Sequence, residues 1–99
     1  MDGVKFSWDA TKNESNQKKH GVSFEEAKSV FLDGFARLIA DPDHSETEDR
    51  FILIGFSRRT RLLVVCHCYL EEDDVIHIIS ARKAEKSERN TYENFRNER

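Results

Sequence analysis

The sequence predicts an α+β fold, an antiparallel β-sheet meander packed with two N-terminal helices and one C-terminal helix, on three observations. Apolar runs rich in Ile, Leu, Val and Phe occupy residues 50–57, 61–70 and 75–82, joined by Arg58-Arg59-Thr60 and Glu71-Glu72-Asp73-Asp74, both of hairpin length. Ser23, with Glu26 three residues later, carries the signature of a helix start. From about Glu85 the chain consists mostly of helix formers. The expected order is strand, helix, helix, four strands and a helix, with the helices on one side of the sheet.

Residues 4–8 alternate apolar and polar side chains (Val4, Phe6 and Trp8 against Lys5 and Ser7), the period of a short, half-buried edge strand. Asp9 can cap a polar helix reaching about Lys19, with Gly21 as its stop; its one apolar residue is Ala10, so pattern supports this helix least. In the next helix, residues 24–32, Phe24, Ala27, Val30 and Phe31 share one face, and Val22 and Ala27 occupy staple positions around the Ser23 cap. Residues 35–40 then read as a strand that stops at Asp41-Pro42-Asp43. In the last helix Tyr92 and Phe95, three apart, give an apolar toehold in a charged segment.

Ninety-nine residues and 11.6 kDa fit a single domain spanning 1–99. Hydrophobic residues are 37% and charged residues 35%, which points to a small core under a charged surface, while ten aromatic residues argue against disorder. No run approaches the roughly 20 apolar residues that span a bilayer, and the opening Met1-Asp2-Gly3-Val4-Lys5 lacks a basic and an apolar signal region, so the expected compartment is the cytoplasm. Cys66 and Cys68 stand on one face of a strand, which suits reduced core thiols better than a disulfide or a zinc site. The net charge of -3 is unevenly spread: nine of nineteen acids lie in residues 41–49 and 71–74, leaving a basic remainder that includes Arg58, Arg59, Arg61, Arg82 and Lys83. Such a map permits binding of RNA without establishing it.

Three segments resemble the BrnT family, the ribonuclease toxins of BrnT/BrnA toxin-antitoxin pairs. They are residues 6–27, from Phe6-Ser7-Trp8-Asp9 to Phe24-Glu25-Glu26-Ala27; Asp41-Pro42-Asp43-His44-Ser45 with Glu48-Asp49-Arg50-Phe51-Ile52 and Gly55; and Ile79-Ser80-Ala81-Arg82-Lys83-Ala84 with Glu88, Arg89 and Tyr92. They cover nearly the whole chain in matching order. The resemblance implies a RelE-like fold, an RNA substrate and a tight complex with a small DNA-binding antitoxin similar to BrnA; the small size and thin core suggest that the toxin gains stability from that complex, as a dimer of toxin-antitoxin pairs. One departure is Glu85, where a Ser or Thr would complete a capping box with Glu88.

Metal-free RNA cleavage through the 2′-hydroxyl needs a base, an acid for the leaving 5′-oxygen and cationic donors at phosphorus. The sequence carries no phosphate-cradling glycine loop, HExxH helix or clustered carboxylates, so neither a metal nor another cofactor is expected. Arg82 and Lys83 end a strand at the sheet margin, where Arg82 can hold phosphate bidentately or form an ordinary surface ion pair. Arg50 follows five acids and can serve phosphate or its own acidic loop.

His67 shares a face with Arg61, Leu63, Val65 and Tyr69, and reaches substrate if the Cys66 face is the buried one. His77 fits a structural role, His20 a helix C-terminus and His44 a turn or a catalytic position. Tyr92 can pack in the core or bring its hydroxyl to a site. The expected catalytic set is therefore Arg82, Lys83, His67, Arg50, Tyr92 and His20. The competing readings are a non-catalytic binding module and a metal-dependent nuclease.

Overall fold

The computed structural model describes residues 4–41, 49–70 and 74–98. Its elements run β1 (Lys5–Ser7), α1 (Ala10–His20), α2 (Phe24–Ser29), a 3₁₀ turn (Val30–Leu32), β2 (Arg37–Ala40), β3 (Arg50–Phe56), β4 (Leu62–Tyr69), β5 (Val75–Lys83) and α3 (Lys86–Asn97). The sheet order is β1-β5-β4-β3-β2. The strands from β2 to β5 form the expected antiparallel meander, but β1 pairs parallel to β5, so the sheet is mixed rather than antiparallel.

The polar helix α1 forms because both ends are capped and its one buried residue is a hydrogen-bonding one. The Asp9 carboxylate accepts from Thr11 N and Lys12 N, and Gly21 closes the helix in the left-handed region at φ 70°. Asn16 donates from Nδ2 to the Val22 and Ala81 carbonyls, both at 2.8 Å, and its Oδ1 accepts from Ala81 N at 3.1 Å. Because β1 pairs with β5 only at residues 75–77, this amide takes the place of a neighbouring strand beside Ala81.

Helix α2 starts at Ser23, whose hydroxyl accepts from Glu26 N at 3.0 Å. The Glu26 carboxylate does not turn back to complete the box. It is 2% exposed and accepts from Arg61 Nε at 2.9 Å, from Arg61 Nη2 and from Ser57 Oγ at 2.7 Å. Arg61 hydrogen bonds hold this carboxyl below the usual range against the opposing effect of burial. Arg61 thereby ties the β3–β4 hairpin to α2.

The helices lie on both sides of the sheet, not on one. The first core layer joins Val22, Phe24, Ala27 and Val30 to Leu53, Leu63, Val65, Ile78 and Ala81. The second joins Tyr92 of α3 to Ile54, Leu62 and Val64 on the opposite face. Two cation-π stacks, Arg37 over Phe95 at 4.7 Å and Arg96 over Phe35 at 4.9 Å, fasten α3 near β2.

His67 consequently sits in the first layer, not on an open face. It is fully buried, edge-on to Phe31 at 4.9 Å between centroids. Its Nδ1–H donates to the Val65 carbonyl at 3.1 Å, and Nε2 faces the Tyr69 hydroxyl at 3.4 Å. Burial pushes its pKa down, with the Val65 bond working the other way. Since the folded imidazole resists a proton that the unfolded one accepts near its ordinary value of about 6.5, stability should fall as pH drops through about 6.5 toward the lower folded value. Urea unfolding at about pH 8 and about pH 5.5 is expected to show this loss in wild type and a smaller one in His67→Gln; an equal loss in both would rule it out.

Candidate active site

A β-bulge decides which side chains of β5 reach the α3 face of the sheet. Cys66 pairs with Ser80 but His67 pairs with Ile78, which leaves Ile79 as an extra residue in β5. The alternation of faces inverts there. Ile76 and Ile78 point into the first layer, as does Ala81, so Ser80 and Arg82 emerge on the other side together with Ile79. His77, which simple alternation sets opposite Arg82, belongs to the same side and shares a 2.9 Å hydrogen bond between Nδ1 and Ser7 Oγ of β1.

The result is a concavity of about 210 Å³ lined by Asp41, Arg50, Ile52, Val64, Cys66, Ile79, Ser80 and Arg82, one or more residues from each of the four meander strands or their ends. Its polar groups include two arginines and one carboxylate. Asp41 follows β2 and is 7% exposed; its N–H continues the ladder to the Arg50 carbonyl at 3.0 Å. The Cys66 thiol donates to Asp41 Oδ2 at 3.7 Å, and burial first, then the Asp41 charge, push it up to about 11, so it is neutral at physiological pH.

Arg82 is held by Glu88 of α3 through Nη1 at 2.8 Å and Nη2 at 2.6 Å, and Nη1 also approaches the Lys83 carbonyl at 3.3 Å. Glu88 Oε1 in turn accepts from Glu85 N at 2.8 Å, so Glu85 starts α3 without a Ser or Thr. Arg82 hydrogen bonds keep Glu88 below the ordinary carboxylate range despite partial burial. Of the five guanidinium hydrogens, Nε–H and the outer hydrogen of Nη2 have no protein partner among the described residues, and they form one planar fork.

Of the sequence-derived candidates, Arg50 and Arg82 come together here. Lys83 is exposed at the end of β5 and alternates to the other face, His20 ends α1 away from the cavity lining, and His67 is enclosed. His44 lies outside the described residues. Tyr92 is 2% exposed and spends its hydroxyl on Asp33 Oδ2 at 2.8 Å. Asp33 also accepts from Phe56 N and Phe35 N, and Gly55 beneath it has no room for a Cβ, which would meet Ala36 Cβ at 2.9 Å. Asp41, Cys66, Ser80 and Glu88 were not among the candidates. Glu88 could have been found from its place six residues after Arg82 in the same motif, and Asp41 from its position across the turn from Arg50.

The sequence profile of the family described as "ribonuclease toxin, BrnT, of type II toxin-antitoxin system" matches residues 8–88. The chain belongs to the BrnT family. The crystal structure of the Brucella abortus ribonuclease toxin BrnT superposes with a TM-score of 0.66 at 22% identity, covering 84% of this chain and 99% of that one, which shows a shared fold. No curated protein sequence matches the chain. Among the described residues no helix of this BrnT-family chain is long and apolar enough to cross a membrane.

Burial, then the hydrogen bond and charge of Asp33, push Tyr92 up to about 12, so its hydroxyl stays protonated as a donor. Tyr92→Phe is expected to cost about 1–3 kcal/mol in chemical unfolding by removing a donor from Asp33, with RNA cleavage unchanged. Loss of cleavage at full stability would return Tyr92 to the site.

Proposed function

We propose that the chain is a cytoplasmic endoribonuclease toxin that cleaves RNA by metal-independent acid/base chemistry, inhibits translation and is neutralised by a BrnA-like antitoxin. Residues 1–99 act as one toxin domain with a RelE-like arrangement of meander and N-terminal helices. The observation that carries the catalytic reading is the cavity that unites Arg50 with Arg82 while the Nε/Nη2 fork of Arg82 stays open.

The 2′-hydroxyl attacks the adjacent phosphorus, the bond to the 5′-oxygen breaks, and a 2′,3′-cyclic phosphate and a 5′-hydroxyl result. Negative charge grows on the non-bridging oxygens along this path. A planar fork matches two such oxygens, and Glu88 holds that fork in place before substrate arrives, so little reorganisation is needed. Arg50 supplies the second positive group at the same cavity. Arg82→Ala should lower cleavage at least tenfold, since one charge-assisted contact made in the transition state is worth more than about 1.4 kcal/mol. Arg82→Lys should not restore it, because a point charge cannot reproduce the fork. Cleavage that persists in Arg82→Ala, or that disappears in excess chelator for wild type, counts against this mechanism.

The partner surface is smaller than the basic run in the sequence suggests, because Arg61 is committed to Glu26 and Arg82 lies on the α3 face. Arg58 and Arg59 remain exposed on the hairpin. Arg58 also borders an apolar groove of about 450 Å³ that includes Phe6, Phe31 and Leu32, the last 76% exposed. An antitoxin segment combining acidic and apolar side chains satisfies both features. Co-expressed antitoxin should copurify, abolish cleavage and raise the melting temperature. Leu32→Asp and Arg58→Glu should each weaken the complex at least about tenfold while leaving the free chain within about 0.5 kcal/mol of wild type. A complex unaffected by both places the interface elsewhere.

A further inference from the structure

We propose that Asp41 is the general base of the reaction, the group that takes the proton from the attacking 2′-hydroxyl; this rests on the ribonuclease reading of the cavity above.

The base has to be an unprotonated group at the wall of the cavity that receives the phosphate. The histidines of the described residues do not provide it. His67 is sealed in the first core layer, His77 is joined to Ser7, and His20 ends α1 outside the cavity lining. The Cys66 thiol is at the wall but is a donor, aimed at Asp41. Asp41 is the carboxylate among the lining residues. Its position is fixed at both ends, by the ladder bond from its N–H to the Arg50 carbonyl at 3.0 Å and by the Cys66 contact to Oδ2 at 3.7 Å.

Glu88 supplies Arg82 with a bidentate counter-charge. Asp41 stands across the concavity, with Cys66 from β4, Arg50 from β3 and Ser80 and Arg82 from β5 as the polar groups around it. A phosphate lying in the Arg82 fork shares the concavity with this carboxylate. When the 2′-oxygen bonds to phosphorus, its proton passes to Asp41, and the departing 5′-oxygen takes a proton from water, so atoms and charge balance. A carboxylate base is lost in acid, where it takes up a proton.

Asp41→Asn keeps the shape and removes the base. Its kcat on RNA should fall at least about a hundredfold, while its Kd for a 2′-O-methyl RNA, which has no proton to give, stays within about threefold of wild type. A group that only organised the cavity would change both together. The acid limb of the wild-type kcat/KM profile should be absent from the residual activity of Asp41→Asn. In wild type that limb should move little with temperature, as a carboxylate does and an imidazole does not, which tests the assignment even if the variant folds poorly.

Asp41→Asn that cleaves within about threefold of wild type, or that keeps the same acid limb, overturns the assignment and leaves the ribonuclease reading standing. A wild type that cleaves no RNA under any condition overturns both.

Discussion

The amide of Asn16 is the interaction on which the site's placement depends. Strand β5 is paired on its outer edge only as far as His77, and its bulge at Ile79 removes one register bond with β4. Past that point the strand is held by β4 on one side only, and a slip of one residue would exchange its two faces. Asn16 grips Ala81 by both its N–H and its carbonyl, and Nδ2 reaches the Val22 carbonyl as well, so one side chain fixes β5 against α1 and the start of α2. Arg82 is the next residue. Its presence on the α3 face, where Glu88 can receive it, follows from that grip.

Two further polar pins show how a charged sequence builds a small domain. Glu26 with Arg61, and Asp33 with Tyr92, bury carboxylates that would be costly alone, and each carboxylate accepts from several donors. Burial opposes ionisation of Asp33, but the Phe56 and Phe35 amides and the Tyr92 hydroxyl outweigh it and hold the carboxyl below its usual range. Both pins join α-helical layers to the ends of sheet strands. They also remove Arg61 and Tyr92 from the set of groups that can act on a substrate.

The meander and α2 were legible because their periodicities are strong, and the paired ends of α1 were legible from Asp9 and Gly21. The faces were not. Nothing in Val75-Ile76-His77-Ile78-Ile79-Ser80 marks which residue is extra, and strict alternation through Ile79 puts His77 opposite Arg82 when the bulge brings them to one side. His67 failed for a related reason: Leu62, Val64, Leu63 and Val65 are equally apolar, so both faces of β4 looked like core. Both are core, one under α2 and one under α3, and the Cys66 end of the second borders the cavity. Tyr92 and Phe95 announce an apolar contact without saying which layer receives it. Asp41 was hidden by its company, since an acid at the head of a run of acids reads as solvated loop, whereas its backbone still belongs to the β2–β3 ladder.

On the proposed ribonuclease reading, the cavity's electrostatics bear on how it would recognise phosphate. Arg82 arrives with Glu88 and shares the wall with Arg50 and Asp41, so the site carries two cations and two carboxylates rather than an excess of positive charge. General attraction for polyanions is therefore weak there, in keeping with a net charge of -3 over the whole chain. Selection has to come from directed donors, and a fork aimed by its own counter-ion is such a device. Glu88 neutralises the guanidinium at long range yet leaves two hydrogens pointing outward, which favours a phosphate seated at the correct angle over one that merely passes near. On that reading the chain can be discriminating at its site while exposed cations elsewhere on the surface, such as Arg58 of the hairpin, would supply affinity for RNA as a polymer.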